Sequence, residues 1–184
     1  MFGQRLGKGD EGYTDLLGPQ RVPKYDLRPE TCGTLDEASS MLGMARALST
    51  QDKVRDLLRH VQHDVYLLMA EIATPSPQIE KIPYRITEAQ ADWLDATIKE
   101  LEQEIELPRQ FILPGASAPS AAIDVARTVV RRAERHAVEL VHKGDMPPGN
   151  VLRYLNRLSS LLFILARYEE HASGTPYDIA KRDA

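Results

Sequence analysis

Cysteine, aromatic residues and long apolar runs are all scarce in this chain of 184 residues. A single cysteine, Cys32, excludes an internal disulfide framework and any zinc site built from several thiolates, and fits a reducing compartment. No apolar stretch approaches the roughly 20 residues a membrane span needs. The opening Met-Phe-Gly-Gln-Arg-Leu-Gly lacks the apolar core of a signal peptide. The expectation is a soluble, cytoplasmic protein. A block of like charge is also missing: 23 Lys and Arg stand against 27 Asp and Glu, for a net charge of −4. That speaks against a nucleic-acid or membrane partner. With 42% hydrophobic residues, the chain is long enough to bury one core and near the usual size of one domain.

Glycine and proline crowd the first 32 residues, with Gly3, Gly7, Gly9, Gly12, Gly18, Pro19, Pro23 and Pro29. Such punctuation predicts an irregular segment, ordered by itself or by a ligand. From residue 33 the pattern changes. Thr34 and Glu37 form a capping-box pattern, and Leu35, Ala38, Leu42 and Ala45 recur at spacings of three and four, predicting a helix to about Leu48. Val54, Leu57, Val61, Val65, Leu68 and Ile72 predict a second, ended near Pro75 and Pro77. Thr87 and Gln90 open a third through Ala91, Leu94, Ile98, Leu101 and Ile105, up to Pro108. Ile123, Ala126, Val130, Ala133, Ala137 and Leu140 give a fourth with a narrow face of small residues, and Val151, Leu155, Leu158, Leu162 and Leu165 a fifth. Strand-like alternation and internal repeats are lacking. The fold expected is all-α, an antiparallel five-helix bundle in one domain: an N-terminal loop segment 1–32, a bundle 33–172 and a loosely held polar tail 173–184.

Several constellations carry chemistry, each beside a plainer alternative. Gly7-Lys8-Gly9-Asp10-Glu11-Gly12 spells the dinucleotide pattern GxGxxG, but without the preceding strand and following helix that the pattern needs. What remains is a turn whose backbone N–H groups can approach an anion, with Lys8 and Lys24 for charge; on its own it reads as a surface loop. Arg127, Arg131 and Glu134 share one helix face, and Arg132 and Arg135 add charge. Guanidinium forks suit a triphosphate, whereas spacing alone favours a solvated face with intrahelical ion pairs. Glu139 and His142 form one Glu-x-x-His pair where a di-iron bundle needs two, and His60, His63 and Asp64 read as a polar flank, so no metal ligand set is expected. Phe111-Ile112-Leu113-Pro114-Gly115 reads as a packed connector.

Taken in order, Gly9-Asp10-Glu11-Gly12-Tyr13-Thr14, Pro23-Lys24, Gly33-Thr34-Leu35-Asp36-Glu37, Phe111 to Gly115, Arg127-Thr128 through Arg131-Arg132-Ala133-Glu134-Arg135, and Asn156-Arg157-Leu158-Ser159 resemble the PduO-type ATP:cob(I)alamin adenosyltransferases over nearly the whole chain. The resemblance implies a ferritin-like bundle assembled as a homotrimer, with ATP and a cob(I)alamin-type corrinoid meeting at each subunit interface. It further implies that the 5′-deoxyadenosyl group moves from ATP to Co(I) and triphosphate is released. Gly9, Asp10, Gly12, Thr14 and Lys24 would wrap the triphosphate, Arg131, Glu134 and Asn156 would contact the nucleotide from the helices, and Mg²⁺ would bridge phosphate oxygens. Asp36 would pair with Arg127 across the interface, and Phe111 would press on the lower corrin face and keep the axial base off cobalt. A corrinoid reductase and an adenosylcobalamin-dependent enzyme are the implied protein partners. The chain departs from the family pattern at Leu6-Gly7-Lys8, Glu11, Ala116 and Ser160, with a positive charge lost from the loop at Glu11. A non-catalytic relative that carries or senses the cofactor is the alternative, and a purely structural bundle a third reading.

Overall fold

In a computed structural model the chain is described over residues 7–75, 79 and 82–180; the opening residues with Gly3 and Leu6, the helix-ending Pro77, and residues 181–184 of the tail lie outside them. The elements are β1 (Tyr13–Asp15), β2 (Arg21–Pro23), α1 (Leu27–Leu48), α2 (Asp52–Ile72), α3 (Glu88–Glu104), α4 (Ala118–His142) and α5 (Asn150–Ala172). Each predicted stripe becomes one helix. α1 and α4 form the central pair, α2 flanks α1, α5 flanks α4, and α3 lies against α5. The small residues on α4 explain that centre: Ala126, Ala133 and Ala137, all fully buried, let it approach Ala38 and Ala45 of α1 closely. Leu35, Leu42, Leu58, Leu68, Ile123, Leu155 and Leu162 fill the rest of the core.

Four local expectations are corrected. α1 starts at Leu27, not at Thr34: Asp26 caps it, its Oδ1 accepting from the Arg28 N–H at 3.0 Å, while Thr34 sits inside the helix and donates to the Glu30 carbonyl at 2.9 Å. Pro29 fits because a first-turn N–H has no intrahelical acceptor to lose. The N-terminal segment is not wholly irregular, since β1 and β2 pair antiparallel with Thr14 opposite Val22. On α2 the core position is Leu58, with Leu57 only half-buried. The Thr87 box stands as predicted: Gln90 Oε1 accepts from the Thr87 N–H at 2.8 Å. The described part of the tail is tied down, not loose. The Leu113 N–H donates to the Asp178 carbonyl at 2.7 Å and the Ala180 N–H to the Phe111 carbonyl at 2.9 Å. No helix among the described residues is long and apolar enough to cross a membrane.

Arg28, nearly fully buried, closes the end of the bundle. Its Nη1 donates to the carbonyls of Ile72 at 2.5 Å and Thr74 at 3.1 Å, and its Nη2 to that of Asp145, satisfying the last carbonyl of α2 and one carbonyl in each of the loops after α2 and α4. Beside it, burial pushes the Cys32 thiol up to about 11, with the Arg28 charge pulling weakly the other way. An ordinary thiol at about 9 carries a hundredfold more thiolate at pH 8, and thiolate is the nucleophile. Iodoacetamide should therefore label the native protein about a hundred times more slowly than the unfolded chain, as followed by mass spectrometry. Equal rates would contradict this environment.

Candidate functional site

The glycine-rich turn owes its shape to Gly7 and Gly12, both left-handed at φ +88° and +80°. Gly9 serves close approach instead: a Cβ there would stand 3.0 Å from Lys24 Nζ, so its absence lets the ammonium lie over the turn. The hairpin fixes the rest. The Lys24 N–H donates to the Gly12 carbonyl at 2.8 Å, and Arg21 Nη2 to the Lys8 carbonyl at 2.7 Å. Lys8 bonds Asp15 and holds its carboxyl below the usual range. Glu11 lies 3.9 Å from Arg21, so the negative charge of the departure at Glu11 faces a hairpin cation. A recess of about 120 Å³ lined by Gly9, Tyr13, Thr14, Arg21 and Lys24 opens here. Asp10 is exposed on the same turn.

The second group stands on α4 and α5. Arg127 Nε donates to Asp124 Oδ1 at 3.0 Å, and Asp124 Oδ2 accepts from Arg167 Nη2 at 2.8 Å. Arg167 Nη2 also donates to Glu170 Oε1 at 2.8 Å; its Nε lies 2.7 Å from Glu170 Oε2 as an ionic contact outside hydrogen-bond alignment. Asp124, Arg167 and Glu170 are all buried, so Arg127 is oriented by a fixed charge network and not by a solvated pair. Arg127 and Arg131 share a groove of about 410 Å³ with Ser159, Ser160 and Phe163 of α5. One turn further, Asn156 Nδ2 donates to Glu134 Oε1 at 3.0 Å, and Arg157 Nη1 to Asn156 Oδ1 at 3.0 Å. Arg132 leaves this face and pairs with Glu37 of α1.

The third group is the connector before α4. Phe111 is 88% exposed. A shallow cavity of about 320 Å³ runs from Pro114 and Gly115 to Val125, Arg127 and Thr128, so Arg127 borders both the connector and the α4–α5 groove.

Of the predicted residues, the fold brings together Arg127 with Arg131, and Glu134 with Asn156. It sets the Phe111 connector beside Arg127. It does not bring the N-terminal turn to them: that segment is anchored at the end of α2, where the Leu17 N–H donates to the Ala73 carbonyl at 2.9 Å. Among the described residues no hydrogen bond or ion pair joins Gly9, Asp10, Gly12, Thr14 or Lys24 to α4 or α5, and none joins the exposed Asp36 to Arg127. Asp124, Arg167 and Glu170 were missed; the spacings Asp124/Arg127 and Arg167/Glu170, each i,i+3, were their signal. Elsewhere, Glu139 pairs with Lys143 at 2.7 Å, and the His60 ring stacks on Trp93 at 3.9 Å. A cavity of about 840 Å³ between the end of α3 and the tail is lined by none of the predicted residues.

Comparison with known proteins matches residues 5–169 to a family described as cobalamin adenosyltransferase. A corrinoid adenosyltransferase of Mycobacterium tuberculosis is 41% identical over 165 residues, covering 86% of this chain and 84% of that protein. One of Bacillus subtilis is 39% identical over 170 residues, covering 90% and 86%. Among solved structures, a phenylalanine-to-alanine variant of a PduO-type ATP:corrinoid adenosyltransferase from Lactobacillus reuteri, complexed with cobalamin and ATP, superposes with a TM-score of 0.88 at 30% identity, covering 95% of this chain and 97% of that one. An arginine-to-lysine variant from the same organism, complexed with ATP, gives 0.86 at 29% identity over 95% and 98%.

Proposed function

The chain belongs to the cobalamin adenosyltransferase family, and on that premise we propose how its residues transfer the 5′-deoxyadenosyl group of ATP to the Co(I) centre of a reduced corrinoid, releasing triphosphate. The reaction asks for alignment and charge stabilisation. Co(I) is itself the nucleophile at the 5′ carbon, so no general base is needed, and the leaving triphosphate needs cations held in place. The observation that carries the assignment of roles is that Arg127 borders both a groove holding Arg131 and the connector holding the exposed Phe111. Phosphate oxygens belong with the guanidinium groups, and the apolar macrocycle with Phe111 and the half-exposed Val125 and Leu113. Phe111 occupies the axial position under cobalt without donating electrons, which favours the four-coordinate Co(II) precursor that accepts an electron more readily.

Gly9, Asp10, Gly12, Thr14 and Lys24 close on the triphosphate from the other side. Asp10 and Thr14 would offer the oxygen donors that a Mg²⁺ accompanying the triphosphate takes from a protein, and the ion would supply neutralisation of the leaving group's charge. Within one chain this turn is anchored away from the α4 face, which supports a site completed between subunits. The exposed Asp36 then pairs with Arg127 of a neighbouring subunit, in a homotrimer with three such sites. A reductase that supplies electrons, and an enzyme that accepts the product, are its partners in the reducing interior of a cell.

Mixing the protein with ATP and chemically reduced cob(I)alamin tests the activity. The corrinoid spectrum should convert to that of the adenosylated form. Binding of both ligands without conversion would favour the carrier or sensor reading. In sedimentation the protein should run as three chains, and Asp36→Arg should shift it toward one; a monomer at all concentrations that still turned over would overturn the interfacial site.

A further inference from the structure

We infer that the C-terminal segment Tyr177–Ala180 is a positioning element for Phe111, a clasp that sets the direction of the connector from outside the bundle. The inference rests on the reading of Phe111 as the residue under the corrin.

An 88% exposed ring gains no direction from burial, so its aim must come from the backbone that carries it. That backbone is bonded on both sides of Ile112. The Ala180 N–H donates to the Phe111 carbonyl at 2.9 Å, and the Leu113 N–H donates to the Asp178 carbonyl at 2.7 Å. Between these bonds Ile112 faces Ile179 as an isolated antiparallel bridge. With the hydrogen bonds falling on the flanking residues, the two isoleucines form a non-hydrogen-bonded pair, whose side chains lie close on one face. Alternation then sends the side chains of Phe111 and Leu113 to the opposite face of this short ribbon, away from the isoleucine pair. Both are exposed. On the α4 side the connector ends at Gly115, whose φ of +112° turns the chain into the helix.

The clasp is itself moored. The Tyr177 hydroxyl is buried without a hydrogen-bond partner among the described residues, although more of that ring is accessible. Burial pushes it above its usual value, Glu170 adds to the rise, and Arg167 opposes it. Tyr177 thus lies within the field of the same Arg167–Glu170 pair that holds Asp124 and, through it, Arg127, and two residues before it the Thr175 N–H donates to the Glu170 carbonyl at 2.8 Å. The segment that bonds the connector is thus tied, just upstream, to the helix that carries the supports of Arg127.

Ala180→Pro removes a single donor, the N–H bonded to Phe111, and residue 179 is already extended, as a residue before proline prefers. In the full chain we expect kcat to fall about tenfold with KM for ATP unchanged. Bound Co(II) corrinoid should show a larger five-coordinate fraction by electron paramagnetic resonance. Ala180→Gly, which keeps the donor, should behave as wild type. Phe111→Ala/Ala180→Pro should be no slower than Phe111→Ala, because the clasp acts only through that ring. Truncation after Gly174 is measured in the same way if Ala180→Pro does not fold. Wild-type kcat and spectrum in Ala180→Pro or the truncation, with Phe111→Ala slow, would overturn the clasp alone. Wild-type rates in Phe111→Ala would overturn the role of Phe111, and the clasp with it.

Discussion

Phe111→Ala should lower the rate of adenosylation about a hundredfold or more while leaving the melting temperature nearly unchanged. The two halves of that result come from one fact, the 88% exposure of the ring. Truncating a packed core Phe costs ~3–5 kcal/mol, whereas surface substitutions usually stay within ~0.5 kcal/mol. An exposed aromatic thus contributes little to stability, and any large effect on rate must come from what it meets in the complex. The spectrum of bound Co(II) gives a second readout, since the variant should retain more five-coordinate corrinoid. A large drop in melting temperature with normal rates would return Phe111 to the role of a packed connector.

The same residue shows where the sequence stops being informative. An apolar run between two helices predicts burial, and for Phe111 that plain expectation fails, because only Ile112 turns inward against Ile179. The tail that pairs with it is held by backbone N–H and carbonyl groups, which every residue has, so no side chain announces the contact. The hairpin at Tyr13–Asp15 and Arg21–Pro23 escaped for a related reason: three residues are too few to show a period of two. The helices were legible because each is long and one-sided. Leu57 and Leu58 differ in burial by a rotation of one residue, which spacing cannot resolve. Thr34 misled because Thr-x-x-Glu also occurs within helices, where the hydroxyl bonds the preceding turn.

The candidate site was legible in part. The face of Arg127, Arg131 and Glu134 follows from spacing on α4, whereas Asn156 entered only through the family resemblance, and its bond to Glu134 comes from the packing of α5 on α4. The partition of the arginines does not. Arg132 goes to Glu37 of α1 and Arg127 to the buried Asp124, so only Arg131 of the three enters the groove without a described acid holding it. That choice is set by which neighbour lies across each face, a property of the packed bundle.

Arg131 is therefore the residue on which nucleotide recognition should turn. Arg131→Lys keeps the net charge and removes the planar fork, so an effect that survives charge conservation must come from paired hydrogen bonds to phosphate oxygens. Losing one charged hydrogen bond in such a site is worth roughly 1.5–3 kcal/mol, a decrease of about one to two decades in kcat/KM for ATP. Stability should hardly move, because the side chain is exposed and no described ion pair is lost with it. Corrinoid affinity should change much less, since the connector and its clasp are untouched. Arg127→Lys makes the informative contrast. It breaks the 3.0 Å bond from Nε to Asp124 and leaves that buried carboxylate with Arg167 alone, so it should cost stability as well as rate. If Arg131→Lys matched wild type at subsaturating ATP, the α4 groove would be a solvated face, and the triphosphate would have to be held by the Gly9–Lys24 turn alone.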